Sequence, residues 1–216
     1  MKFLFLAIFI ISSVIHLYAS YQKNIRLRAC SKGFIVLALL GWYCFCADPV
    51  IAVAVLALVF SWLGDVLLIP HGTKWFVAGG IAFMLSHFFF VLCYVKNIDF
   101  SALPLWLAIL VAFIYILIVW RVFQALNPHL KKVLFYPMFF YLLINGTMNC
   151  FAFYQLVTNP SFATAVTYLG AVLFFCSDTI LFFVRFNKNT RFKSHFPVML
   201  TYIIAEFLIT YGLITI

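Results

Sequence analysis

The run LPLWLAILVAFIYILIVW, residues 103–120, contains no charged side chain. About 20 consecutive apolar residues is the length an α-helix needs to cross a bilayer's hydrocarbon core of roughly 30 Å. The chain repeats this pattern from end to end, with apolar runs at about 3–21, 33–47, 50–69, 75–95, 103–120, 134–157, 162–184 and 197–216. The breaks between them are Asp48-Pro49, Pro70-His71-Gly72, Lys96-Asn97, Asn127-Pro128, Asn159-Pro160 and the polar run 185–196. Proline and glycine punctuate apolar segments in this way. Barrel strands would be about 10 residues long and alternating. The expected fold is therefore all-α: a polytopic integral membrane bundle of eight transmembrane helices. Only 9% of the residues are charged and 67% are hydrophobic, which leaves no material for a soluble domain. Residues 1–216 are read as a single membrane domain. The second run, 33–47, is the shortest. The first is read as a retained helix, because Tyr18-Ala19-Ser20 is a poor signal-peptide cleavage site.

Positive charge orients the bundle. Twelve of the 14 lysines and arginines fall at one end of the predicted spans. They are Lys23, Arg26, Arg28, Lys32, Lys74, Arg121, Lys131, Lys132, Arg185, Lys188, Arg191 and Lys193. Only Lys2 and Lys96 lie at the other end. The positive-inside rule makes the basic end cytoplasmic and puts both termini on the non-cytoplasmic side, as expected in a bacterial inner membrane. The net charge of +9 reads as this topology signal, with some attraction to anionic lipids, and gives no indication of nucleic acid. Trp75 and Trp120 fall at the basic interface and Trp42 and Trp106 nearer the other, as an aromatic belt would place them. The six cysteines form no metal-type motif and read as small apolar filler.

Two of the five acidic residues stand where they are expensive: Asp65 in VFSWLGDVLLIP, residues 59–70, and Asp178 in YLGAVLFFCSDTILFFV, residues 168–184. An aspartate at the centre of a membrane helix costs about 2.5–3.5 kcal/mol on insertion scales. Counted from the basic end of their runs, the two lie roughly 6 and 9 Å deep, and Glu206 lies roughly 13 Å deep on the last span. Tyr202 is one turn from Glu206. No lysine or arginine is expected at that depth; Lys32, Lys74 and Arg185 stand at the helix mouths. Such carboxylates can simply hydrogen-bond helices together. Two of them sharing a proton would instead make a general acid beside a carboxylate. His87, mid-span, can donate or relay a proton. Asn145 and Asn149 are one turn apart and share a face, able to line a cavity or bridge helices. His16, His71, His129 and His195 fall near interfaces and are expected to be solvated. With so few histidines inside, neither a metal site nor a cofactor is indicated.

Several short motifs then carry a resemblance. They are Arg28 through Lys32 entering span two, Ser61-Trp62-Leu63-Gly64-Asp65 in span three, and Gly79-Gly80 with Phe83 and His87 in span four. Further along are Tyr141 and Met148 in span six, and Gly170-Ala171, Phe174 and Ser177-Asp178 in span seven. In order and spacing they resemble the YhhN-like lysoplasmalogenase family over nearly the whole chain. Glu206 stands where that pattern has a glutamine-like residue.

The resemblance implies hydrolysis of the vinyl ether bond of lysoplasmalogens to a fatty aldehyde and glycerophosphocholine or glycerophosphoethanolamine. For that reaction Asp65 and Asp178 are the expected catalytic pair, with Ser177, His87, Asn145, Asn149, Tyr202 and Glu206 as polar support. Lys32, Lys74 or Arg185 would hold the substrate's phosphate. The partners it implies are the lysophospholipid substrate and membrane lipids, with no cofactor. Vinyl ethers are cleaved by acid, so a proton donor, a carboxylate beside the developing cation and a water suffice. Two other readings of the carboxylates exist. One is a proton-coupled transporter, for which no inverted repeat is visible. The other is an intramembrane aspartyl protease, whose pattern has a glycine at the place of Trp62 and a Pro-Ala-Leu motif absent here.

Overall fold

The structure is a computed structural model that describes residues 1–187 and 194–216. Lys188, Arg191 and Lys193, counted above in the basic end, lie outside the described residues. The described residues form eight α-helices: α1 (Lys2–Tyr21), α2 (Ile25–Cys46), α3 (Ala52–Leu67), α4 (Thr73–Val95), α5 (Leu105–Leu126), α6 (Phe135–Thr158), α7 (Phe162–Phe186) and α8 (Phe196–Thr215). Short 3₁₀ turns, Asn127–His129 and Lys132–Leu134, join α5 to α6. Among the described residues, seven helices are long and apolar enough to cross a membrane, and α3 is apolar but shorter. The chain is an integral membrane protein.

The short element is thus α3 rather than the second span. Asn24 accepts a hydrogen bond from the Leu27 amide at 3.1 Å and starts α2 well before Gly33. Arg26, Arg28 and Lys32 therefore ride on a helix instead of in a loop. Pro70 disfavours helix in the residue before it, and α3 runs only from Ala52 to Leu67, 16 residues or roughly 24 Å.

Helices α2, α3, α4, α6, α7 and α8 surround the polar interior. Helix α1 packs on α2 and α8. Helix α5 lies outside, mainly against α6, and buries only Val111, Val119, Phe123 and Leu126. In lipid, helices associate through close packing, because burial of apolar surface gives no net drive. Two glycines mark close approaches beside the polar interior and between α7 and α8. A Cβ at Gly64 would meet the Phe83 ring at 2.5 Å, so Gly64 admits Phe83 from α4 beside Asp65. A Cβ at Gly170 would meet the Ala205 carbonyl at 2.9 Å, so Gly170 sets the α7–α8 distance.

That contact gives a prediction. Gly170→Ala is expected to destabilise the purified protein by about 1–3 kcal/mol, because a backbone atom cannot step aside as a side chain can. Gly33→Ala, with nothing within 4 Å of its Cβ, is the control and is expected not to lower the thermal midpoint in the same detergent. Equal midpoints for the two variants would show that α7 and α8 are not held at this separation.

Candidate active site in the basic half of the bundle

A cavity of about 310 Å³ opens at the basic end of the bundle, and both Asp65 and Asp178 line it. Its wall is built from the last turns of α3 and α7, the first turns of α2, α4 and α8, and His16 of α1. Helices that alternate in direction bring chain ends from different parts of the sequence to one level. This is how residues 113 positions apart come to face one space.

The two aspartates have unlike surroundings. Asp65, 1% exposed, receives Lys32 Nζ at 3.2 Å on Oδ1 and the Tyr202 hydroxyl at 2.8 Å on Oδ2. The expectation that no cation reaches this depth is therefore wrong for Lys32. Helix α2 begins at Ile25, so Lys32 stands about two turns inside, and its long stem carries the ammonium to the carboxylate. Asp178, 5% exposed, is held on Oδ2 by the Tyr141 hydroxyl at 2.6 Å and by Asn145 Nδ2 at 2.8 Å. His87 Nε2 is 3.5 Å from the same oxygen and 3.3 Å from the Tyr141 hydroxyl. Oδ1 of Asp178 has no hydrogen-bond partner among the described residues, in a side chain that lines the cavity.

Behind these lies a ring of support. The Ser61 hydroxyl donates to Glu206 Oε1 and lies 3.4 Å from the Tyr202 hydroxyl. The chain Glu206–Ser61–Tyr202–Asp65–Lys32 thereby links α8, α3 and α2. Glu206 itself is fully buried and does not line the cavity. Asn149 touches Asn145, whose carbonyl and side-chain oxygens accept from Asn149 Nδ2 at 3.0 and 3.3 Å. It orients Asn145 and does not reach the aspartates. Ser177 lines the cavity, and its hydroxyl is spent on the Val198 carbonyl at 2.9 Å, tying α7 to α8. Aromatic rings close the floor, with Phe174 edge-on to Phe83 at 6.0 Å and to His87 at 4.7 Å.

The cations distribute differently from the sequence expectation. Arg185 lines the cavity and lies over the Phe76 ring at 4.4 Å. Lys74 is exposed and outside the cavity wall. Arg28, His195 and His71 line it instead. His16, expected to be solvated, is 1% exposed, and its Nδ1 lies 2.9 Å from the Ser31 hydroxyl. His195, at the start of α8, is half-buried. Burial first, then Arg28, Lys32 and Arg185, push its pKa down to about 4, so it is neutral at ordinary pH.

Reading the sequence for acids gave Tyr141, Ser61 and Arg28 no role in the site, although all three stand in the motifs that carry the resemblance. One signal could have found all three. Each stands one helical turn before a residue already singled out: Tyr141 before Asn145, Ser61 before Asp65, Arg28 before Lys32.

The sequence model of the YhhN family matches residues 27–213, which spans every one of these groups except His16. The chain belongs to the YhhN family. No curated protein and no solved structure matches it. The resemblance drawn from the short motifs is thus borne out at the level of the family, with the cavity residues of α2 to α8 inside the matched region.

Beside the polar cavity, between α4 and α6, lies a second space of about 340 Å³. It is lined by apolar and aromatic side chains, among them Val77, Met84, Leu134 and Phe140. Phe76 borders both spaces. The Tyr141 ring lines the apolar one while its hydroxyl holds Asp178. A polar cavity with a basic mouth, opening beside an apolar groove, suits an amphiphile.

Proposed function

We propose that this YhhN-family protein is a membrane-embedded hydrolase of lysoplasmalogens, cleaving their vinyl ether bond. The observation that supports this reading is the pair of aspartates on one cavity with opposed surroundings. Asp65 is ion-paired and has both oxygens engaged; Asp178 is held by neutral donors on one oxygen, and its other oxygen has no hydrogen-bond partner among the described residues. Asp178 is the proton donor in this reading and Asp65 the charged partner.

Asp178 Oδ1 gives a proton to the outer alkene carbon, and the adjacent carbon becomes an oxocarbenium ion. The Asp65 carboxylate stabilises that cation, as a carboxylate does in glycoside hydrolysis. Water adds to the cationic carbon and loses a proton to restore Asp178. The hemiacetal collapses to the aldehyde and frees the glycerol hydroxyl. Tyr141 and Asn145 fix the orientation of Asp178, while Tyr202 and Lys32 fix Asp65.

The test is aldehyde release by detergent-purified protein from choline and ethanolamine lysoplasmalogens. Release that depends on the protein is the expected result. Peptide cleavage without aldehyde release would turn the reading to a protease, and flux found only in sealed vesicles to a transporter.

A further inference from the structure

We infer that the basic mouth of the cavity is a phosphate site, formed by Arg28, Arg185 and His195, that holds the head group of a single-chain phospholipid; this rests on the substrate class proposed above. Among the described residues, the cation facing the cavity with a carboxylate partner is Lys32, which is spent on Asp65. Arg28 and Arg185 both line the cavity and have no carboxylate partner among the described residues. The Nε of Arg28 is buried and has no hydrogen-bond partner among the described residues. The Arg185 guanidinium carbon lies 4.4 Å from the centre of the Phe76 ring, a contact made by the group's face, so its N–H groups remain available to a ligand.

Arg28 is half-buried and Arg185 is exposed at the edge of the same cavity, and an anion held by both gives their N–H groups charge-assisted partners. Phosphate suits them better than a carboxylate-sized or halide ion. Its oxygens take paired N–H bonds from two forks at once, and neutral His195 offers a further N–H. The lipid, rather than a soluble phosphate, follows from Phe76. The ring that carries Arg185 also borders the apolar groove between α4 and α6, so a phosphate bound at Arg185 has a slot for a hydrocarbon chain directly beside it. The depth also fits: the aspartates lie further inside than the mouth, as the bond next to glycerol lies below the phosphate.

The test measures binding rather than hydrolysis. Detergent-purified protein is titrated with an ester-linked lysophospholipid, which has no vinyl ether, and with a monoacylglycerol of the same chain, which has no phosphate. The lysophospholipid is expected to bind at least about tenfold more tightly, as two charge-assisted forks warrant. The double variant Arg28→Gln/Arg185→Gln is expected to lose that preference while still binding the monoacylglycerol, which shows that it is folded. If the double variant does not purify, Arg185→Gln alone is expected to lower the preference severalfold. Equal binding of both lipids by the native protein, or a preference kept in the variants, overturns the site. Inorganic phosphate competing as strongly as the lysophospholipid would assign the mouth to a soluble anion and overturn the lipid assignment. A protein that shows the preference and releases no aldehyde keeps the phosphate site and loses the hydrolase reading.

Discussion

Asp178→Asn and Asp65→Asn are each expected to lower aldehyde release by roughly a hundredfold or more, the scale of a lost acid–base group. The two losses have different physical origins. At Asp178 an asparagine can turn its oxygen to Tyr141 and Asn145, which both donate to Oδ2. Its amide group then replaces Oδ1, so the hydrogen bonds remain and only the transferable proton is gone. At Asp65 the substitution removes the charge opposite Lys32 and leaves that ammonium, 16% exposed, without its counter-ion. The cost there falls on both the cation-stabilising carboxylate and the local fold. A Lys32→Met/Asp65→Asn pair separates them, because it removes both charges together; stability is expected to recover and activity is not. Glu206→Gln is expected to be much milder, since Glu206 does not line the cavity and a glutamine oxygen can still accept from Ser61. Near-normal turnover in either aspartate variant, in protein that purifies as a single species, would end the two-aspartate mechanism.

The second expected result is all-or-none and concerns atoms rather than rates. In oxygen-18 water the label is expected in the aldehyde and not in the glycerol hydroxyl. Water attacks the cationic alkenyl carbon, and the carbon–oxygen bond that breaks is the one to that carbon. In deuterium oxide the aldehyde is expected to gain one deuterium next to its carbonyl, because the outer alkene carbon is the nucleophilic end of a vinyl ether. Aldehydes exchange oxygen through their hydrates, so the glycerol oxygen is the informative atom, and immediate reduction to the alcohol fixes the carbon label. Displacement at the glycerol carbon predicts the opposite oxygen result. Oxygen-18 in the glycerol hydroxyl would eliminate the acid–carboxylate mechanism whatever the aspartate variants showed.

The membrane character, the run of helices and the two misplaced aspartates were all legible in the sequence. Each depends on local chemistry: length of apolar run, proline and asparagine breaks, and the expense of a charge in lipid. The family was legible too, because its short motifs keep their order and spacing. Helix boundaries were less so. The start of α2 depends on the Asn24 cap and on the tolerance of long basic side chains along a helix flank, which a count of apolar residues overlooks. Which side chain meets which aspartate could not be read. Lys32 and Tyr202 lie on α2 and α8, far from Asp65 in the chain, and Tyr141 and Asn145 lie on α6, away from Asp178. Periodicity says which residues share a face of one helix, but which faces meet depends on helix crossings set by close contacts such as Gly170 on Ala205. Sequence alone thus fixed what each helix carries to the membrane's basic side. Tertiary packing decided that one aspartate meets a cation and the other meets neutral donors, because only packing determines which side chains share a low-dielectric space.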